Sequence, residues 1–335
     1  MNIREQIDPG FRGVIHVLRH GEVLCSHVSG LADLPNQIPN TFETRFASAS
    51  AGKAFVAAGI LRLIDRGLLT LDSTLGSLLD YDLGRIDQDV TVYQLLTHTA
   101  GVPDYFDETV MGEYEELWVD FPNYKIRKNS DLYPLFLHKP MLYPKGEKFQ
   151  YNNSGYVLLA AIIEAVTGMA FDQYLQKEVF DLCGMTDTGY FELDRLPARC
   201  AANYIIDKQT GAWRTNIFSV DAKGTGAGGA FLTVPDVVKF WQGLLDGKLF
   251  SKDLVDRMLR IQAGDGADPE EGWYGLGMWI IENPNGTDYP YFQGCDPGVS
   301  FHSEYNPDKG ILSVLVSNFR DNVWREMRKI RKLLY

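Results

Sequence analysis

Residues 46–66 read FASASAGKAFVAAGILRLIDR, a short turn of small residues that opens into a run apolar nearly all round. A helix with no polar face is buried within a protein rather than laid on its surface. Ser50 stands at the mouth of this helix and Lys53 one turn inside it, and a spacing of three puts both side chains on one helix face. A serine hydroxyl is a weak nucleophile until a base takes its proton, and a lysine can do so once it is neutral. Burial and the positive end of the helix dipole both disfavour the ammonium form, so a lysine in this first turn is an anomaly for stability. Taken singly, the pair also fits a serine cap followed by a lysine that snorkels to water.

Working outward, residues 13–30 form two β-rich runs around His20-Gly21-Glu22, as expected of a hairpin. Helical patterns are expected over 91–101, 155–167, 234–245, 252–259 and 322–334, the last basic and amphipathic. Segments 274–281 and 311–317 have strand character, and 104–140 is aromatic with weak periodicity. Strands, then many helices, then strands and a helix predict an α+β architecture: an antiparallel sheet built from both chain ends, with a mainly helical region inserted. One catalytic domain over 1–335 is expected, its sheet part about 1–48 and 270–335 and its helical part about 49–269, with the active site between them.

The chain has 335 residues, 45% hydrophobic, and a formal net charge of −12. It is long enough for a substantial core, and its charge repels phosphate backbones and anionic lipid, so neither nucleic acid nor membrane is expected as a partner. The longest apolar runs, 54–61 and 156–163, are too short to span a bilayer, and the first residues carry no apolar signal core. A cytoplasmic location is the expectation. Cys25, Cys183, Cys200 and Cys295 have neither paired nor metal-ligand spacing, so free thiols are expected and no metal or organic cofactor.

Residues 145–156, KGEKFQYNNSGY, precede the second apolar helix. Together with the Ser50-x-x-Lys53 spacing, this stretch resembles the serine β-lactamase and penicillin-binding-protein superfamily, in particular its group of class C β-lactamases, DD-peptidases and esterases. In that group a Tyr-x-Asn element follows a Pro-x-Gly loop, and Tyr151 and Asn153 match it. Residues 95–101 (LLTHTAG), 180–188 (FDLCGMTDT) and 228–233 (GGAFLT) match in order, which extends the resemblance over nearly the whole chain. The resemblance implies that Tyr151 shares proton transfer with Lys53, and that Asn153 hydrogen-bonds Lys53 and the substrate's acyl-side amide. A phenol beside a cation is expected to have a stabilised phenolate. His98, within LLTHTAG, is expected to be structural rather than a base.

One departure stands out. The superfamily's third element presents Lys or His, any residue, then Gly on a strand beside the nucleophile, whereas here Phe292 stands at the cationic position and Gly294 is retained. The Cys295 backbone N–H can still pair with that of Ser50 as an oxyanion hole. Recognition of a substrate carboxylate is weakened, with Gln293 as a substitute if the register slips by one. A thiol role for Cys295 has no histidine context to support it. Residues 104–120 hold seven acidic residues and no basic ones. As a lid, this stretch would disfavour anionic substrates, and Tyr105, Tyr114 and Trp118 would line an apolar subsite.

The expected function is hydrolysis of small esters or amides, including D-amino-acid amides or short peptides, through an acyl-enzyme on Ser50. The alternatives are a β-lactamase or DD-carboxypeptidase and, of another class, a catalytically silent binding or scaffold protein that keeps the fold.

Overall fold

The computed structural model describes residues 3–335. Strands β1 (Gly13–Arg19) and β2 (Glu22–Ser29) are joined at His20-Gly21, where both residues take positive φ. Six more strands follow late in the chain: β3 (Ala263–Gly264), β4 (Trp273–Tyr274), β5 (Trp279–Ile281), β6 (Tyr289–Asp296), β7 (Val299–Asn306) and β8 (Ile311–Ser317). They form one eight-stranded antiparallel sheet in the order β2-β1-β8-β7-β6-β5-β4-β3. The two ends of the chain meet in the β1–β8 ladder, which runs from Val14 opposite Val316 to Arg19 opposite Ile311. The expected α+β architecture is the one observed. The single β segment expected over 274–281 is instead two short strands, because the chain reverses through Gly275–Met278 and Gly277 takes φ +98°.

Four helices frame the site: α1 (Lys53–Asp65), α2 (Asn153–Thr167), α3 (Val234–Leu245) and α4 (Val323–Leu334). Alternation along the strands sends Ile15, Val17, Ile311 and Leu315 to one face, where they pack on Val323, Met327 and Ile330 of α4. It sends Val14, Phe292, Phe301, Val314 and Val316 to the other, where the main core joins the sheet to α1, α2 and α3. Residues Lys53 to Leu61 of α1 are all buried, as its lack of a polar face requires. Helix α2 starts at Asn152, whose side chain accepts from Gly155 N at 2.7 Å, and ends at Gly168 in the left-handed conformation. No single helix among the described residues is long and apolar enough to cross a membrane.

Candidate active site

Ser50 sits in a 3₁₀ turn (Ala49–Gly52) between α1 and a two-residue strand, Phe46–Ala47, which pairs with Phe231–Leu232. The turn is forced. Ala49 has φ +47°, in the left-handed region that a residue with a β-carbon enters at a cost, and its carbonyl is held by Gly229 N at 3.0 Å. Gly228 packs so closely behind that a β-carbon on it would come within 2.4 Å of Ala49 O. This glycine pair is the support for Ser50, and its only sequence signal is the run of glycines over 224–229.

Lys53 is 2% exposed, and its Nζ donates to Ser50 Oγ at 3.0 Å, to Asn153 Oδ1 at 2.8 Å and to the Ala227 carbonyl at 2.5 Å. Burial pulls its pKa down to about 8 against the opposing pull of Glu108, Asp104, Asp296 and Asp221. At neutral pH the ammonium still predominates, with roughly a tenth of the amine in the neutral state that a base must reach. Ser50 lies close enough to the Tyr151 hydroxyl to pull its pKa down against burial, and Lys53 Nζ lies 5.0 Å from its ring centroid. Asn153 is held by donation from its backbone N to Asp104 Oδ2 at 2.7 Å and from its Nδ2 to the Phe106 carbonyl at 3.0 Å, so its Oδ1 is turned to Lys53. Asp104 also accepts from the Ser154 N–H and hydroxyl. Burial raises its carboxyl to about 6 while these donors pull the other way, so it is ionised at neutral pH at the start of α2. Sequence reasoning missed both Asp104 and the Ala227 carbonyl. Asp104 is one of seven acids in its stretch, and a main-chain acceptor carries no side-chain signature.

The expected phenolate at Tyr151 needs correction. Burial first, and then the nearby Glu108, hold its pKa well above the usual phenol range, so the group is a neutral proton donor. The cation that was to stabilise a phenolate is itself shifted towards the neutral amine.

On the far side of Ser50 lies β6. Gly294 abuts the nucleophile turn: a β-carbon on it would lie 2.1 Å from Ser48 O and 2.7 Å from Ser50 N. Asp296 faces Val299 across the Pro297-Gly298 turn, and Cys295 faces Ser300 one step further along. Hydrogen-bonded and non-bonded pairs alternate in such a ladder, which turns the Cys295 N–H away from β7 and towards the Ser50 side. Phe292 and Gln293 do not belong to the cleft, contrary to expectation. Phe292 is 2% exposed and its ring packs against Phe55, Phe240, Trp241 and Phe301, because it shares the inward face of β6 with Gly294. Gln293 points the other way, donating to Glu271 Oε1 and accepting from Trp324 Nε1, both at 2.6 Å. Phe292→Lys is accordingly expected to bury an unpaired cation rather than offer it to a substrate. It should destabilise the protein by about 3–5 kcal/mol without any gain in penicillin turnover, to be read from chemical denaturation and nitrocefin kinetics.

The cleft in front of Ser50 has a volume of about 340 Å³. The acidic stretch does overhang it: Tyr105, Phe106, Glu108, Met111, Glu113 and Tyr114 are on its lining, while Trp118 packs behind, edge-on to Tyr114 at 5.5 Å. Four carboxyl groups line the cleft, Glu108, Glu113, Asp221 and Asp296, against one guanidinium, Arg320. Arg320 is engaged by Glu113 at 3.2 Å and by Cys295 Sγ at 3.2 Å. Tyr114 donates to Asp221, whereas Asp296 has no hydrogen-bond or ion-pair partner among the described residues. Burial, with repulsion from Asp296, raises Asp221 to about 8, and burial raises Asp296 to about 7. Neither aspartate nor Arg320 was singled out from the sequence, since they come from three separate segments, Asp296 ending strand β6.

A Beta-lactamase family model matches residues 2–334. The crystal structure of penicillin binding protein from Bacillus halodurans superposes with a TM-score of 0.92 at 36% identity, covering 99% of this chain and 98% of that one. Esterase EstB of Burkholderia gladioli is 27% identical over 333 residues, spanning 90% of this chain and 83% of EstB. PbpX of Bacillus subtilis (strain 168) is 25% identical over 314 residues, 93% of this chain and 72% of PbpX. Motif order, sheet topology and these whole-length matches agree, and the chain belongs to the Beta-lactamase family of serine hydrolases.

Proposed function

We propose that the protein hydrolyses short esters or amides through an acyl-enzyme on Ser50. The observation that carries this is the contact of a buried Lys53, its pKa lowered to about 8, with Ser50 Oγ at 3.0 Å, at the floor of a cleft of small-molecule size. Lys53 takes the hydroxyl proton as Ser50 Oγ bonds to the carbonyl carbon, and the oxyanion meets the N–H groups of Ser50 and Cys295. As the tetrahedral species collapses, the bond to the leaving group breaks and Tyr151 supplies its proton, regaining one from the Lys53 ammonium. Water then repeats the attack on the acyl-enzyme, with the same groups handling protons, and the acid is released. Asn153 orients Lys53 and the acyl side of the substrate. The esterase name of EstB agrees with this reaction class.

The preferred acyl group carries a free amino group, as in amino-acid esters and amides. Asp221 and Asp296 both line the cleft, where desolvation, joined at Asp221 by repulsion from Asp296, retains a proton near neutrality. A substrate ammonium takes that proton's place, which turns the repulsion into an attraction. Matched p-nitroanilides of an amino acid, free and N-acetylated, test this at pH 7. The free amine is expected to have roughly tenfold or greater kcat/KM, and Asp296→Asn is expected to narrow the ratio. Equal rates for the two substrates would remove the amine preference while leaving ester hydrolysis standing.

Hydrolysis of β-lactams or of a D-alanyl terminus is the second reading, favoured by Arg320 as a cation on the cleft lining. Its pairing with Glu113 counts against it, because a substrate carboxylate has to displace that glutamate.

A further inference from the structure

Tyr151 is flanked by Gln150 and Asn152, and the backbone N–H groups of both end on one residue. Gln150 N donates to the His98 carbonyl at 3.0 Å, and Asn152 N donates to His98 Nδ1 at 3.1 Å. The imidazole also lies against the Tyr151 ring, with 4.5 Å between centroids, and within 4.6 and 5.0 Å of Tyr274 and Tyr156. Accepting at Nδ1 leaves the proton on Nε2, so the bound ring is neutral, in keeping with its burial.

Two features argue against a residue kept only for packing. His98 holds φ +57°, which a side chain with a β-carbon adopts at a cost. Its Nε2 is buried with no hydrogen-bond partner among the described residues, and an unsatisfied buried donor destabilises a fold. An apolar residue would avoid that loss but would strand the buried Asn152 N–H. Unfavourable features of this kind persist where the surroundings need them for function. Resting on the role given above to Tyr151, we infer that His98 is a positioning residue that clamps Tyr151 at three points, before it, after it and on its ring, and so fixes the phenol relative to Ser50 and Lys53.

The test is steady-state hydrolysis of a neutral p-nitrophenyl ester by the full chain carrying His98→Phe, His98→Asn and Tyr151→Phe, with thermal melts of each. His98→Phe keeps an aromatic ring and removes the acceptor, so kcat is expected to fall roughly 10- to 100-fold with KM changed by about twofold at most. His98→Asn accepts positive φ readily and offers Oδ1 in place of Nδ1, so it is expected to retain kcat to within about fivefold. His98→Gly, which relieves the positive φ, is expected to show the same fall in kcat and serves if the phenylalanine variant does not fold. In a Tyr151→Phe background, His98→Phe is expected to cost nothing further, because the histidine acts through the phenol. Wild-type kcat in folded His98→Phe or His98→Gly overturns the inference and leaves the proton relay intact. An equal loss in the Tyr151→Phe background overturns it too, by revealing a general structural role. Wild-type kcat in Tyr151→Phe overturns the relay, and the clamp with it.

Discussion

Ser50→Ala is expected to lower kcat/KM for p-nitrophenyl acetate by on the order of 10⁴-fold or more while leaving the melting temperature close to that of the wild type. The substitution removes one oxygen from a residue that is only partly buried. Lys53 keeps two of its three acceptors, Asn153 Oδ1 and the Ala227 carbonyl, so the buried amine is not abandoned. The Ser50 and Cys295 N–H groups remain as well, and the residual rate reports what the oxyanion hole supplies alone. A fluorophosphonate probe followed by peptide mapping gives the covalent counterpart: label on the peptide containing Ser50 in the wild type and none in the variant. Substantial turnover by folded Ser50→Ala protein would sink the nucleophile assignment.

Lys53→Met and Tyr151→Phe are each expected to depress acylation about 10²- to 10⁴-fold, and the double variant to be little worse than the poorer single one. The two groups serve one proton transfer, so removing either stops it, whereas independent contributions would multiply. The titration of Lys53 adds a pH signature. With the ammonium held near 8, kcat/KM for a neutral ester should rise about tenfold per pH unit below that value and level off above it. The sign for stability follows from the same shift. The folded pKa lies below the ordinary lysine value of 10.5, so the fold favours the neutral amine. The penalty for the buried cation is absent above about 10.5, grows as pH falls, and is complete below about 8. Lys53→Met has no such penalty, so its melting temperature relative to the wild type should be highest below pH 8 and decline as pH rises from 8 to 10.5. A pH-independent difference would mean that Lys53 does not titrate as its burial demands.

The site was legible where chemistry needs a particular side chain at a particular spacing. Ser50, Lys53, Tyr151 and Asn153 lie within two short segments, and the second immediately precedes a helix whose apolar run is itself legible. Phe292 was misread because position along a strand fixes which face a side chain takes, and the face depends on which neighbours cover it. Next to Gly294 on the inward side, the place left over is core. Strand β7 escaped notice for a related reason. Its sequence, VSFHSEYN, alternates except at Ser303 but is more than half polar, and both faces are nevertheless covered because its polar groups find partners inside. Ser303 accepts from Trp241 Nε1 at 2.8 Å, and Glu304 is bound by Arg331 of α4. Those partners are remote in sequence, so no local pattern announces them. The charged side of the cleft was out of reach for the same reason: Asp221, Asp296 and Arg320 come to line one cleft only once the chain is folded.

The ladder that joins the two ends of the chain has a consequence for biosynthesis. Strand β1 leaves the ribosome well before its neighbour on one side, β8, which is made roughly 290 residues later. Until then the β1–β2 hairpin has an open edge and an uncovered apolar face, as do the helices that are to pack on the finished sheet. Loop closure over such a distance is slow, and unpaired edges are where chains associate wrongly. Over that interval the nascent chain therefore carries an incomplete sheet. Truncation before Ile311 removes the strand between β1 and β7, and with it the continuity of the sheet.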